Sequence, residues 1–594
     1  MSFPSSRHLR FIVLAIGLSS TSRAEPAADR LLRLVPADAG VTLAVENLRV
    51  HAREFFDSPL SEQVVQLPCA QRWFASESYR QLDQARRHFE RRLGESSATL
   101  RDRLFGEALV LTLLAPPSGR PEDARGLLLL HVSDRRLLDR LIQSVNEAQT
   151  RKGELSKVLE RRYKNVTYFT RQYAGAPARP SDYYVTSDDG TFAWANSEEL
   201  LHGVIDRQEK NQGGLSEVEG FQQVRTRLPK SAVLSLFINP RSLEQALSST
   251  PKPTTSQDEK IATFVGRYLS AHTYLGAALE WRDGVILHTQ EELIPEKVGP
   301  WFQKWSQGSG KTSRLTGVPT NTLAFASIQL DFAAIEEALR DLITDAHRAQ
   351  YENASLVLKG ILLGHDLREV LPKIGPRVSA SVIATESSES GISTVVSVDL
   401  NGEGTVAEML GNGLRTLLAL YALDSKHEKG QLRLETRQGG DLPVTSLVPT
   451  TPFAFSLTPD RLLVAETSAA ILAEAKGNRE VNNEFLSVRS TYFPNAESFL
   501  WFDLKAIQRF GEQHRESLIQ KITTQDRKTR SKATSDLDRA LQFLGLFRTL
   551  FFTSELSSAG HSLHRTLGLI GRDLTAMPKP AVSAPDEATR KTEP

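Results

Sequence analysis

The sequence predicts an α+β fold made of two similar halves, each a largely antiparallel sheet with helices packed on one face. Three observations lead there. A proline turn, an apolar stretch of strand length, an Asn or Asp and a helically spaced apolar run recur four times. Tight turns join strand-like runs as hairpins, which makes neighbouring strands antiparallel. Five landmarks recur in the same order at offsets of 265–283 residues.

The chain has 594 residues, 40% hydrophobic and 24% charged, with 72 basic and 71 acidic side chains. That balance lacks the basic excess of a nucleic-acid binder, and the length suffices for large cores without staples. Arg7, His8 and Arg10 precede a short apolar run, Phe11 to Leu18, then Ser22-Arg23-Ala24. A basic start, a short apolar run and small residues before the cut form a signal peptide. The run is too short to span a bilayer. Residues 1–24 are therefore read as a signal peptide, cleaved to leave Glu25, with a periplasmic or secreted product. Cys69 is the sole cysteine, which excludes an intrachain disulfide. It lies too far past the apolar run for a lipobox and is read as a lone thiol.

The recurring unit starts at Pro36 (PADAGVTLAVENL), Pro229 (PKSAVLSLFINP), Pro319 (PTNTLAFASIQLD) and Pro494 (PNAESFLWFDL). Asn47, Asn239, Asp331 and Asp503 stand where strand hands over to helix, so each is predicted as an N-cap. Pro240 suits the first helical position. Between these landmarks, 104–114 resembles 373–383, and 126–134 resembles 391–399. Residues 183–201 resemble 454–472, with helices capped at Ser197 and Ser468. Hairpins around Gly284 and Gly560 also match. A period near 270 residues exceeds any solenoid repeat, so each copy is domain-sized. The predicted organisation is a first repeat unit at 25–298, a linker at 299–318, a second at 319–577 and a disordered tail at 578–594. The charged stretches 79–95 and 151–164 are read as solvated amphipathic helices, and 521–540 as helical. A basic partner surface is the sharper reading of the two charged stretches.

No motif carries catalysis. GSGKTS (308–313) has Trp305 where a P-loop needs glycine. Ser249-Thr250-Pro251-Lys252 has a helix-breaking proline inside S-x-x-K and lacks the companion motifs. His561 and His564, three apart on a strand, point to opposite faces. Asp188-Asp189 reads as turn chemistry, Glu291-Glu292 as an exposed strand end and Glu336-Glu337 as a helix face. Neither HExxH nor C-x-x-C occurs. No catalytic, cofactor or metal residue is predicted, and no cofactor.

Together, PADAGVTLAVENL, PKSAVLSLFINP, PTNTLAFASIQLD and TPFAFSLTPDRLLVAETS (451–468) resemble a bacterial domain-of-unknown-function family of large exported proteins. The resemblance covers most of 31–575 and implies export and architecture, with no catalytic residues. PNAE at Pro494 departs from its pattern. The functional expectation is an exported, non-catalytic scaffold or binding protein, its partner an envelope protein or envelope component and not nucleic acid. The alternatives are a hydrolase with an unmarked site and a carrier of an apolar ligand.

Overall fold

A computed structural model describes residues 25–572 except 117, 119, 121–122, 176–179, 211–212, 250–262, 264, 298–317, 344, 386–390, 402–403, 424–432, 440–441, 449–452, 478–481, 497 and 558–560. The expected signal peptide, nearly all of the linker, the tail, the GSGKTS motif and Gly560 lie outside the described residues. So does most of the S-x-x-K segment.

Contacts divide the chain into two compact units. The first is Met1–Arg49 with Leu93–Phe221; the second is Val50–Arg92 with Gln222–Pro594.

In chain order, the first elements are α1 (Ala27–Leu34), β1 (Val41–Glu46), α2 (Pro59–Gln66), α3 (Pro68–Phe74), α4 (Glu77–Leu93), β2 (Ala108–Leu114) and β3 (Arg125–His131). Then follow α5 (Arg135–Arg151), β4 (Leu155–Tyr163), β5 (Val166–Tyr173), β6 (Asp182–Thr186), β7 (Thr191–Ala195) and α6 (Glu198–Lys210). Strands of the first unit pair antiparallel in the order β1-β2-β3-β7-β6-β5-β4.

The second unit holds β8 (Leu234–Ile238), β9 (His272–Trp281), β10 (Gly284–Leu293), β11 (Thr322–Gln329), α7 (Phe332–Leu342), β12 (Ile374–Ala384), β13 (Ile392–Leu400) and α8 (Gly404–Leu423). It continues through β14 (Arg433–Gly439), β15 (Leu442–Val448), β16 (Ala454–Thr458), β17 (Arg461–Ala465), α9 (Ser468–Gly477), β18 (Ser498–Asp503), α10 (Leu504–Gln513), β19 (Phe547–Leu556) and β20 (Ser562–Gly571). One antiparallel series links its strands: β8-β9-β10-β20-β19-β18-β11-β12-β13-β17-β16-β15-β14. Its core gathers Phe325, Phe485, Phe493, Trp501, Phe551, Ile286 and Ile570. The fold is thus α+β with antiparallel strands.

Helices cover both faces of the strands in the first unit, not one. Leu137 and Leu138 of α5 pack with Leu130, Tyr184 and Phe192. The intervening Leu127, Leu129, Ala193 and Ala195 point the other way and are also buried. On that side His202 of α6 stacks on Tyr163 at 3.8 Å. The continuous apolar run of Leu127–Leu130 is the signature of a strand covered twice. In the second unit α8 places Leu418 with Leu447 and Phe455, while α9 places Ile471 with Leu463 and Ala465.

The segment 151–164 corrects a second expectation. Residues 155–163 form strand β4, not a helix, paired along its length with β5. It ends the order of the first unit, and Lys157, Glu160, Arg161 and Arg162 fit an edge strand that charge guards against further pairing. By contrast 77–93 is helical, as are Arg515–Gln525 and Arg530–Leu544.

Three of the four predicted caps form. Asn239 Oδ1 accepts from Arg241 N at 3.1 Å, Asp331 Oδ1 from Ala334 N at 3.0 Å and Asp503 Oδ1 from Ala506 N at 2.8 Å. Asn47 instead adopts a left-handed backbone, φ 49°, and donates its N–H to Glu107 O at 2.8 Å. Thr467, not Ser468, caps α9, accepting from Ala470 N at 3.2 Å.

Candidate functional site

The first unit holds a groove of about 1280 Å3. It exists because α5 carries two stripes. Asp134 caps the helix, its Oδ1 accepting from Leu137 N at 3.0 Å. One stripe buries Leu137 and Leu138 over β3 and β7. The other, Arg135, Asp139, Ile142, Gln143, Asn146, Glu147 and Thr150, repeats at helical spacing and forms one wall of the groove. Strands β5 and β6 supply Thr167, Phe169, Tyr184 and Thr186. These alternate residues share one face, and the Phe169 and Tyr184 rings stack at 5.1 Å. The turns Lys164-Asn165 and Ser187-Asp188 and the end of α6 complete the lining.

Two ion pairs tie lining residues to one another, and Asp139, Glu147 and Arg151 add further charge to the wall. Arg135 meets Asp188 at 3.3 Å. Lys164, at φ 52° in the hairpin turn, meets Glu209 at 2.7 Å and also contacts Asp206. Its hydrogen bonds to the Asp206 and Glu209 carboxylates push the Lys164 ammonium up, and Lys164 holds the Asp206 carboxyl down. Arg171 braces the groove, giving Nε–H to Asn146 Oδ1 at 2.9 Å and a second N–H to Asp182 at 3.3 Å. Burial raises the Tyr184 hydroxyl. Among the described lining residues there is no histidine and no cysteine. A ligand would meet an aromatic floor, side-chain amides and hydroxyls, and the charged groups of Asp139, Glu147 and Arg151.

A second cavity of about 570 Å3 opens where α6 covers the opposite face, lined by Tyr163, Glu198, His202, Asp206 and Arg207 among others. His202 lies flat on Tyr163 and edge-on to Tyr168 at 5.3 Å. Its Nε2 is buried without a partner among the described residues. Tyr168 donates to Glu198; burial and that carboxylate push its hydroxyl to about 12. Burial lowers the Arg207 guanidinium, which gives its Nε–H to Leu34 O at 2.8 Å.

In the second unit the structure gathers a polar seam between β9, β10 and β20. Gln290 Nε2 donates to Glu292 Oε1 at 2.9 Å and to Ser562 Oγ at 2.5 Å, and Ser562 donates to the same Glu292 oxygen at 2.9 Å. His564 Nδ1 lies 3.1 Å from Gln290 Oε1. Thr566 Oγ1 lies 3.2 Å from His564 Nε2 and 3.3 Å from His288 Nδ1. His288 Nε2 meets Glu280 at 3.4 Å. Thr566, His288 and Glu280 thus follow one another in the order of a hydrolytic triad, but His288 Nε2 makes no hydrogen bond among the described residues. Thr566, however, is buried within paired strands and neither cavity reaches it. The seam zips strands together.

Glu291 and Glu292, expected at an exposed strand end, are both buried here. Strand β10 is interior, with β9 on one side and β20 on the other, so their charges need partners. Glu291 meets His272 Nε2 at 3.1 Å and contacts Arg565. Burial opposes the Glu291 charge, but His272 and Arg565 win and hold its carboxyl low. His561 is exposed and His564 joins the seam. Asp189 makes the expected turn bond, accepting from Thr191 N at 3.0 Å, while Asp188 lines the groove. Glu336 and Glu337 lie on helix α7. Cys69 lies on α3; its side chain falls outside the described residues. No group of three or more metal-binding side chains converges among the described residues. Likewise no described helix is long and apolar enough to cross a membrane.

No family model and no curated protein matches the chain. A solved structure described as "Structure of crystal form III of TP0453" is similar at 13% identity over 46% of this chain and 83% of that chain, with a TM-score of 0.21.

Proposed function

We propose that this is an exported, non-catalytic binding scaffold built from two duplicated halves, with the α5 groove as its ligand seat. The groove carries the reading. It is large, lined by amides, hydroxyls, charged groups of both signs and two stacked rings. That lining suits an extended polar ligand and opposes an apolar cargo. Export rests on the signal-like residues 1–24.

Duplication of 25–298 and 319–577 is supported by strand order. The series β1-β2-β3-β7-β6-β5-β4 of the first unit has the same connectivity as β11-β12-β13-β17-β16-β15-β14 of the second. In both series, the helix before the hairpin arm and the helix after it pack on opposite faces. Within the second unit, β8-β9-β10 and β18-β19-β20 also correspond, and β10 pairs with β20.

The test is a panel of linear oligosaccharides and short polar peptides, screened by thermal shift on the mature chain. A ligand specific to the folded state raises the melting temperature, and Thr167→Trp, which fills the groove floor, removes that rise. A panel without hits, or hits indifferent to Thr167→Trp, argues against the seat.

One observation favours a second reading, a hydrolase. His202 stands one helical turn from both Glu198 and Asp206 in the smaller cavity. Turnover of a chromogenic ester lost in His202→Ala would support it.

A further inference from the structure

The arm formed by α2, α3 and α4 is rooted by Leu60 and Leu67, which pack with Leu504, Leu546 and Phe547. Beyond that root, burial among the described residues is absent: none from Gln71 to Arg92 is buried. Helix α5, of the same length as α4, buries Leu137, Leu138 and Ser144. Helices of this length draw most of their stability from packing an apolar face. In α4 ion pairs along its own surface substitute: Arg80–Glu77 at 2.9 Å, Arg86–Glu90 at 3.0 Å and Arg87–Asp83 at 2.8 Å.

Its apolar face is nonetheless present. Tyr79, Leu82 and Phe89 fall on one stripe by helical spacing. Trp73 and Phe74 close around Tyr79 at 6.5 and 5.0 Å. Trp73, Leu82 and Phe89 are 52%, 62% and 44% exposed. Beside the stripe runs a basic flank. From Pro68 to Leu93 the sequence has six arginines against three carboxylates. Arg72 and Arg91 give their Nε–H groups to backbone carbonyls of Pro68 and Arg87, which leaves their charge facing outward.

Aromatic and leucine side chains on one face, arginines on the flank and low mean hydropathy are the makings of an interfacial helix. We propose that the α3–α4 arm docks on an anionic lipid surface, lying in the headgroup plane with Trp73, Leu82 and Phe89 dipped into the acyl boundary. Lipid is favoured over a protein groove by the excess of arginine over carboxylate from Pro68 to Leu93 and by the ring at each end of the stripe.

The experiment is co-sedimentation of the mature full-length chain with vesicles of phosphatidylcholine, alone or mixed with phosphatidylglycerol. Binding should require phosphatidylglycerol and fall as salt rises. Trp73 emission should shift to the blue, a component missing from Trp73→Phe. The exposed pair Leu82→Glu/Phe89→Glu should weaken binding roughly tenfold or more with an unchanged melting temperature. Arg72→Glu/Arg91→Glu, whose guanidinium groups bond only backbone carbonyls among the described residues, should do the same at low salt only. Equal binding by these variants and the parent, or no binding to anionic vesicles, overturns the proposal. So does a dimer in sedimentation velocity that Leu82→Glu/Phe89→Glu dissolves, since the face would then serve a second copy.

Discussion

Acidification should loosen the β10–β20 seam, and His564 sets the pH at which it does so. Its Nδ1–H donates to Gln290 Oε1 and its Nε2 accepts from Thr566, so the neutral ring uses both nitrogens and a second proton would force the Thr566 hydroxyl to turn and accept. Around it stand His288 on β10, Arg227 ahead of β8, Glu292 beside Ser562, and Glu555 opposite on β19. Burial, then His288 and Arg227, push the imidazole down to about 4. An unfolded histidine titrates near 6.5. Because the folded value is the lower one, the unfolded chain binds more protons between about pH 6.5 and 4, and stability falls as pH falls through that window. The whole window costs about 3 kcal/mol, and about 2 kcal/mol is already lost by pH 5. The assay is the urea midpoint and slope of the mature chain at pH 7 and pH 5. His564→Asn keeps a donor near Gln290 and cannot take the proton, so its pH 7 to pH 5 loss should be smaller by about 2 kcal/mol. Equal losses in the two proteins would refute the assignment.

Three further outcomes are expected. Asp331→Ala removes the cap of α7 and should cost about 1 kcal/mol, read by urea unfolding, with ligand binding unaffected. Gly568→Ala would put a methyl group 2.2 Å from the Phe551 ring, so overpacking should cost about 1–3 kcal/mol; a neutral result would mean the ring moves freely. Mass spectrometry of the protein recovered from the cell envelope should give Glu25 as its first residue, and an intact Met1 would contradict cleavage after Ala24.

Short-range chemistry was the legible part of the sequence. The Asp188–Gly190, Pro459-Asp460 and Asp283-Gly284 turns join β6 to β7, β16 to β17 and β9 to β10, because turn residues act within four positions. Caps at Asn239, Asp331 and Asp503 were legible for the same reason. Strand β4 was not. Its charged residues sit on an edge, where solvent replaces the alternation that marks a half-buried strand. The twofold cover on β3 was written in Leu127–Leu130 but reads equally as a buried helix segment until partners are known. Glu291 and Glu292 resembled a solvated end, since the strand that buries them, β20, lies some 270 residues on. The groove was hidden too. Its floor residues Phe169 and Tyr184 come from different strands, and its wall is the second stripe of α5, which in sequence is only an ordinary polar helix face.

Calorimetric titration of a panel ligand into three proteins tests the binding seat most directly: the parent, Thr167→Trp in the α5 groove and His202→Ala in the opposite cavity. If the groove is the seat, Thr167→Trp abolishes the binding heat while His202→Ala binds as the parent does. Binding that survives Thr167→Trp, or is lost in His202→Ala alone, contradicts it.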